Sequence, residues 1–354
     1  MHKRMLMCLI MFISICFLSG CWDYKDINHR VMPVVLGIAK EEIDDAYKVF
    51  LQIPLPSENQ NETRIVIDSG KTINEIINNI STNMESQVDL LHVKVIVVGQ
   101  EIAEEGFDDL ISAFLRSRDI SSKALFTICE EDLNTFFSKM GNHGNEGTVL
   151  LDYFEKDAGW NPQIALTRVW HIYRSIHSLT NDVAVPILKL GDTTMVEQTG
   201  SAVIKEGRMV SRIDSKETLL YNAFNGESTQ GIIEVTDNAA VRIVENSMRH
   251  KATFVQGKPK LASTVFLKVT IMETKQGTTE KVIKEQLNQQ LTERFNEMFT
   301  KIQQVESDIL GIGQLFRNKL PRSELTQWRS KYYPHITTDI HFEVDIQNSG
   351  NLKM

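Results

Sequence analysis

Asp89 to Gly99 reads DLLHVKVIVVG. It is the most hydrophobic strand candidate beyond residue 21, and its apolar residues do not alternate with polar ones. A strand with one wet face alternates, whereas one that is apolar on both sides belongs inside a sheet covered above and below. The stretch therefore predicts a central strand with helices on the sheet.

The flanking sequence supplies them. Before it, Val31 to Ile38 (VMPVVLGI), Tyr47 to Leu55 (YKVFLQIPL) and Arg64 to Ile67 read as strands. Ile73, Ile76, Ile77 and Ile80 fall at helical spacing over Ile73 to Met84, with Ser69 or Thr72 placed to cap the helix. After it, Glu101 to Ser117 reads as a helix with Phe107, Leu110, Ile111, Phe114 and Leu115 on one side, and Lys123 to Cys129 as the next strand. Three strands followed by helix, strand, helix and strand predict a mixed sheet with helices packed on it, not a sandwich or a bundle.

Glu131 to Met140 reads as a short helix running into Gly141-Asn142-His143-Gly144-Asn145-Glu146-Gly147. A glycine-rich loop that cradles phosphate needs a strand before it and a GK[ST] or helix start after it. Neither is present, so this one reads as a flexible connection. Val149 to Ser178 reads as largely helical with a break at Gly159 to Pro162, and Asp182 to Ile187 as extended. The polar Leu190 to Gln198 segment then opens a second domain.

That domain starts with a hairpin, Gly200-Ser201-Ala202-Val203-Ile204-Lys205-Glu206-Gly207-Arg208-Met209-Val210, and a helix at Glu217 to Phe224. Strands are predicted at Ile232 to Val235, Ala240 to Glu245, Arg249 to Val255 and Thr264 to Met272. Alternation of Ile340, Phe342, Val344 and Ile346 predicts another; together they fit antiparallel strands with one buried face. Between them Thr279 to Leu310 is the strongest helix, its stripe running Ile283, Leu287, Leu291, Phe295, Met298, Ile302, Val305 and Ile309. Such a stripe can dock a partner helix or cover the domain's own sheet; the second is the commoner use. Asp308-Ile309-Leu310-Gly311-Ile312-Gly313 is read as its end, with glycine as a left-handed cap, and Pro321 to Tyr333 as a last short helix with Trp328 in the core. The fold class is α/β mixed (α+β) and multi-domain: residues 21–189 a mixed sheet packed against helices, residues 190–354 an antiparallel-rich sheet with one long helix, or three subdomains in all.

Composition narrows the function classes. The chain has 38 Lys and Arg against 46 Asp and Glu, a net charge of −8. Without a dense basic cluster this excludes nucleic acid as the natural partner. The N-terminus carries its own message. Basic His2, Lys3 and Arg4 precede the apolar run Met5 to Leu18, which is shorter than the roughly 20 residues a membrane-spanning helix needs, and the run closes on Leu18-Ser19-Gly20-Cys21. That is the layout of a secretory signal over residues 1–20. Leu-Ser-Gly-Cys resembles the bacterial lipobox, in which Cys21 would take a diacylglyceryl thioether and, once it is the new N-terminus, an N-acyl chain. Two acyl chains anchor stably where one is marginal. An uncleaved signal anchor, or a cleaved signal with an incidental cysteine, is the competing reading. Loss of Lys3 and Arg4 with the leader takes the mature charge to about −10. No Gly, Ser or Pro spacer follows Cys21; Trp22-Asp23-Tyr24-Lys25 comes at once, so the folded part is expected close to the bilayer, with Trp22 and Tyr24 suited to the headgroup layer.

Of the four cysteines, Cys8 and Cys16 leave with the leader and Cys21 is claimed by lipid. Cys129 is left alone in Leu125-Phe126-Thr127-Ile128-Cys129 and reads as a small core residue. No HExxH, GxSxG, CxxC pair or GxxxxGK[ST] occurs. His92 interrupts an apolar strand and reads as a satisfied core or edge residue. His171 and His177 share a helix but stand six apart, on different faces. Asn61-Glu62-Thr63 fits a glycosylation sequon and carries little weight behind a bacterial leader. No catalytic residue, metal ligand or cofactor is assigned, the ligand-binding residues are unknown, and a binding or assembly protein is expected.

The ordered set of motifs is similar to the Ger(x)C family, the C subunits of GerA-type spore germinant receptors. It comprises Cys21-Trp22-Asp23 after the lipobox, the strand Leu91-His92-Val93-Lys94-Val95-Ile96-Val97-Val98-Gly99, the Gly200-Ser201-Ala202-Val203-Ile204-Lys205 hairpin, Asp308-Ile309-Leu310-Gly311-Ile312-Gly313, and the Trp328 segment with the Ile336 to Gly350 strand. The resemblance covers about residues 21 to 350. It implies a non-enzymatic lipoprotein on the outer face of the inner spore membrane. There it would assemble with an A subunit and a polytopic B subunit in nutrient-triggered germination, with germinant binding mainly in the membrane subunits. Only Cys21 carries over as a functional residue. A solute-binding lipoprotein of a transporter is the alternative; it would need two similar lobes around a cleft, whereas the two halves differ in element order.

Overall fold

The computed structural model describes Met5 and residues 29–41, 46–55, 63–142, 149–154 and 161–347. Cys21, Trp22 to Tyr24, Asn61, Glu62 and most of the Gly141 to Gly147 loop lie outside the described residues.

An eight-stranded sheet holds the first part of the chain together. Its strands are β2 (Val35–Lys40), β3 (Tyr47–Pro54), β4 (Thr63–Gly70), β6 (Val95–Gly99), β7 (Leu125–Cys129), β8 (Val183–Leu190), β9 (Val196–Lys205) and β10 (Arg208–Ile213), in the order β10-β9-β8-β7-β6-β2-β3-β4. The four central strands run parallel, and each edge is finished by antiparallel strands. A small parallel pair, β1 (Arg30–Val31) with β5 (Gln87–Val88), lies beside it.

The central strand is where the sequence predicts it, but shorter. All of β6 is buried. Leu90–His92 is instead a 3₁₀ turn, because the Asp89 side chain accepts from Leu91 N at 3.0 Å and caps it; a local side-chain acceptor of this kind competes with a sheet ladder. His92 is consequently exposed and outside the strand. Side chains of β6 divide by parity. Ile96 and Val98 join a core with α1 (Ile73–Asn83), α2 (Gln100–Glu105), α3 (Asp108–Ser117) and α6 (Val169–Ile176). Val95 and Val97 join the opposite core with α4 (Leu133–Asn142) and α5 (Val149–Phe154). Cys129 is fully buried in the second, and burial pushes its thiol up to about 12.

Two predicted helices are modified. Glu101 to Ser117 is split into α2 and α3 at Gly106, whose φ of 119° leaves the helix. Phe107 N then donates to Gly207 O at 2.9 Å, and the Phe107 ring packs on Phe126 at 5.2 Å. Between α5 and α6, residues 164–168 are not helical. They lie along the sheet, Phe126 N donating to Thr167 O at 2.8 Å, with the Thr167 hydroxyl spent on Ala184 O.

The residue 189/190 boundary expected from sequence falls at the end of β8, and β9 and β10 continue the same sheet. The second sheet is β11 (Ile233–Val235), β12 (Ala239–Val255), β13 (Lys258–Thr274) and β14 (Thr337–Ile346), in that order. The strands expected at Ala240 to Glu245 and Arg249 to Val255 are one continuous β12, with register shifts near Val241 and Glu245. The β12–β13 turn has φ of 51° at Gln256 and 76° at Gly257, the double positive φ of a type I′ hairpin.

α8 (Glu280–Gln304) connects β13 to β14. A helical crossover between neighbouring strands leaves them parallel; β14 accordingly pairs parallel with β13, which corrects the antiparallel pairing expected from its alternation. The α8 stripe covers its own sheet: Ile283, Leu287, Leu291, Phe295, Met298 and Ile302 are buried in one core with Val265, Val269 and Phe342. α8 stops at Gln304, and the left-handed residue after it is Glu306 (φ 54°), so the glycines at 311 and 313 are not its cap. Pro321 to Tyr333 is one turn of α-helix, α9 (Arg322–Leu325), a π-helical turn at Trp328–Tyr332 and a 3₁₀ turn, with Trp328 fully buried as expected.

The two sheets share a core. Ala184 of β8, Val203 of β9 and Ile213 of β10 lie in the same apolar cluster as Phe295 of α8 and Val265 of β13. α7 (Ser215–Phe224) sits at this junction, closed at its start by a reciprocal capping box between Asp214 and Glu217. Glu217 also receives Lys301 Nζ of α8 at 2.6 Å.

Candidate functional site

A buried polar cluster joins the two halves of the chain. Asp182 stands just before β8 and is fully buried. Its carboxylate accepts from Arg329 Nη2 at 2.7 Å and Nε at 3.1 Å, and from Asp308 N at 2.8 Å. Asp182 N donates in turn to Asp308 O at 2.9 Å. The Arg329 guanidinium also donates to Ser178 O at 2.9 Å, and Glu206 lies 3.7 Å from it. Burial opposes the charge on Arg329, but Asp182, with Glu206 and Asp308 behind it, holds its pKa above the usual value.

Asp308 organises the neighbouring turn. One carboxylate oxygen accepts from Ile312 N at 2.8 Å; the other accepts from Gly313 N at 2.7 Å and Trp328 Nε1 at 2.9 Å. Burial raises its pKa to about 7, with the Asp182 charge adding to the push, against the pull of those donors. The spacing of Asp308-Ile309-Leu310-Gly311-Ile312-Gly313 follows from this geometry. Gly311 has φ of 63°, and a Cβ there would lie 2.6 Å from Asn181 Oδ1. At Gly313 a Cβ would lie 2.6 Å from Trp328 Nε1 and 2.7 Å from Thr180 Cβ. Only glycine lets the turn pass beneath the indole ring.

The Gly200 to Val210 hairpin serves the same junction. Its turn is type I′, with φ of 52° at Glu206 and 81° at Gly207. Lys205 Nζ donates to Val305 O at 3.1 Å and to Glu306 Oε2 at 3.3 Å, placing a cation on the C-terminal end of α8. The tip of the hairpin meets the start of α3 through Phe107 N and Gly207 O.

Motifs that stand far apart in sequence thus converge on one junction: the hairpin, the Asp308 turn and the Trp328 segment. Asp182 and Arg329, which complete it, carry no sequence signal of their own. The histidines do not assemble with it. His171 Nδ1 accepts from Arg168 N at 3.1 Å at the start of α6, and burial with the nearby Arg174 and Arg168 charges lowers its pKa to about 4. His177 packs edge-on against Tyr173. Among the described residues no group of three His, Cys, Asp or Glu is placed to hold a metal ion. The arrangement is a structural tie that carries charge without presenting a nucleophile.

Residues 23–190 match the family model of the spore germination protein N-terminal domain, and residues 199–350 that of the spore germination B3/GerAC-like C-terminal domain. The chain belongs to the Ger(x)C family. Its Ger(x)C relatives are distant but collinear. Spore germination protein KC of Bacillus subtilis (strain 168) is 19% identical over 99% of this chain and 97% of its own length. Spore germination protein GerQC of Bacillus cereus is 19% identical over 98% and 99%, and spore germination protein B3 of Bacillus subtilis (strain 168) 24% over 71% and 70%. The crystal structure of the GerBC protein superposes with a TM-score of 0.55 at 16% identity, covering 87% of this chain and 96% of that one. This establishes a shared fold. The Ger(x)C resemblance carried by the hairpin, the glycine turn and the Trp328 segment therefore falls on residues that build the junction.

Proposed function

We propose that the chain is the C subunit of a spore germinant receptor, anchored through acylated Cys21 to the outer face of the inner spore membrane and assembled there with A and B subunits. The observation that carries this is the pair of family matches running almost unbroken from residue 23 to residue 350, directly behind a lipobox-like Leu18-Ser19-Gly20-Cys21. No described helix is long and apolar enough to cross a membrane, and two acyl chains would supply stable attachment. The protein acts by docking, not by catalysis: its most elaborate polar cluster is consumed in joining its own halves. The solute-binding alternative asks for two similar lobes, and an eight-stranded mixed sheet beside a four-stranded one gives it no support.

Cys21→Ala tests the reading. The variant should lose label from radioactive palmitate, leave the membrane fraction and impair nutrient-triggered germination. Normal germination by spores whose only copy is demonstrably soluble would overturn the anchoring role. Failure of the wild-type protein to co-purify with A and B subunits would overturn the assembly role.

A further inference from the structure

A cleft of about 1180 Å³ opens between the end of α6 with its following loop, the C-terminal end of α7, and the segment running from Leu310 to Leu325. Small-molecule sites commonly occupy roughly 300–1,000 Å³, and they favour junctions between structural units. This one combines elements from both halves of the chain.

Its lining has a definite chemical character. Arg174, Arg317 and Arg322 line it, and no Asp or Glu does, in a chain whose net charge is −8. None of the three arginines makes an ion pair within the described residues, whereas Arg30, Arg212, Arg294 and Arg329 each meet a carboxylate. Two of them, Arg174 and Arg317, are also positioned. The Arg174 guanidinium lies over the Trp170 ring at 5.0 Å, and Arg317 Nη1 donates to Gln314 Oε1 at 3.2 Å. Gln314 in turn donates to Thr180 Oγ1 at 2.7 Å, so the cationic wall rests on the segment fixed by the Asp182–Asp308 cluster. The rest of the lining is mixed: Phe224, Leu310 and Ile312 are apolar, and Asn181, Asn225 and Asn318 bring hydrogen-bonding amides. Phe224 is stacked on Phe295 at 5.2 Å. His250 lines the same wall with Nδ1 2.9 Å from Ser263 Oγ, and burial lowers its pKa, so the positive charge rests on arginine.

We infer that this cleft is a binding site for a small organic anion, a carboxylate or phosphate carried on a body with one apolar face. Arginine is the side chain suited to both headgroups, since its fork of donors matches two oxygens at once. Phe224, Leu310 and Ile312 take the apolar face, and the amides of Asn181 and Asn225 are at hand for polar groups on the same body. The inference stands on the cleft alone and does not depend on membrane anchoring or on partner subunits.

The full chain in detergent micelles is titrated by calorimetry with phenylphosphate, phenylacetate and uncharged benzyl alcohol at moderate salt. Saturable binding of at least one aromatic anion, at least tenfold tighter than benzyl alcohol, is expected, and the tighter of the two names the headgroup. R317A/R322A should weaken it at least tenfold. Both residues are exposed, so the unliganded melting temperature should not change; if it does, Arg174→Ala supplies the same loss from a different element. Arg242→Ala, on β12 outside the cleft, should leave binding intact. Absence of saturable binding by both anions, or binding indifferent to the cleft arginines, overturns the inference.

Discussion

Asp182 and Arg329 are 147 positions apart and meet through two hydrogen bonds, Nη2 to Oδ1 at 2.7 Å and Nε to Oδ2 at 3.1 Å. The pair fastens the start of β8 to the turn that follows α9. A two-point contact between planar groups fixes orientation as well as distance. It also means that neither charge can be removed alone without leaving the other uncompensated, Asp182 fully buried and Arg329 only 13% exposed.

That asymmetry sets the first prediction. Arg329→Met should cost about 3–5 kcal/mol, the usual penalty for breaking a buried pair from one side. Asp182→Asn with Arg329→Met should cost less than the Arg329 change alone, because the uncompensated carboxylate is gone. Arg329→Lys should recover little, since an ammonium cannot donate from two fixed positions. Urea unfolding of the wild type, Asp182→Asn, Arg329→Met and the double variant closes the cycle; equal loss in Arg329→Met and the double variant would contradict a charge-pair role.

Gly313 gives a sharper steric test. A methyl there would lie 2.6 Å from Trp328 Nε1 and 2.7 Å from Thr180 Cβ, both in closed packing. Gly313→Ala should therefore cost about 1–3 kcal/mol or more, as overpacked cores do. Gly257→Ala, at the β12–β13 turn, meets nothing within 4 Å and carries only the strain of a φ of 76°. The Gly313 variant should be clearly the less stable of the two in parallel melts, with altered tryptophan fluorescence from Trp328.

These residues show where sequence legibility ends. β6 was readable because continuous apolarity survives without knowledge of neighbours; the Asp89 cap that shortens it depends on one side-chain oxygen. Alternation in β14 looks the same in a parallel or an antiparallel pairing, and only the α8 crossover decides between them. The polar stretch after Leu190 resembles a linker, yet it is the short connection between two adjacent strands of one sheet. The DILGIG and GSAVIK segments were visible as motifs, whereas their shared purpose required the fold. Asp182 and Arg329 leave no local period at all, so their meeting was not available from the chain.

Glu234 and Arg294 make a second buried pair, bidentate at 2.7 and 2.9 Å, tying edge strand β11 to α8. Glu234→Ala should strand the guanidinium and cost about 3–5 kcal/mol. Glu234→Gln keeps one acceptor for Arg294 and should cost less. Because β11 is short and lies at the sheet edge, the loss should show first as faster amide exchange over Ile233–Val235 and its partners Ala240 to Arg242. Exchange confined to the far end of α8 would speak against the pair as the strand's tether.

The pH dependence of stability should hide two opposed contributions. Asp308 releases its proton near 3.8 in the unfolded chain and near 7 in the folded one. Between those values the folded state holds the extra proton, so stability falls as pH rises, and the loss is complete above about 7. His171 works in reverse. Its pKa of 6.5 in the unfolded chain drops to about 4 on folding, so the unfolded state holds the extra proton and stability rises over that window. The two shifts are of similar size, and the intact protein should therefore show a shallow profile from pH 4 to 7. His171→Gln, which keeps an acceptor for Arg168 N, should expose the Asp308 slope, with melting temperature falling as pH rises. Asp308→Asn, whatever its baseline, should expose the rising slope of His171. Melts at unit pH steps read both signs. Profiles in the two variants that run parallel to the wild type would show that neither group carries the assigned linkage.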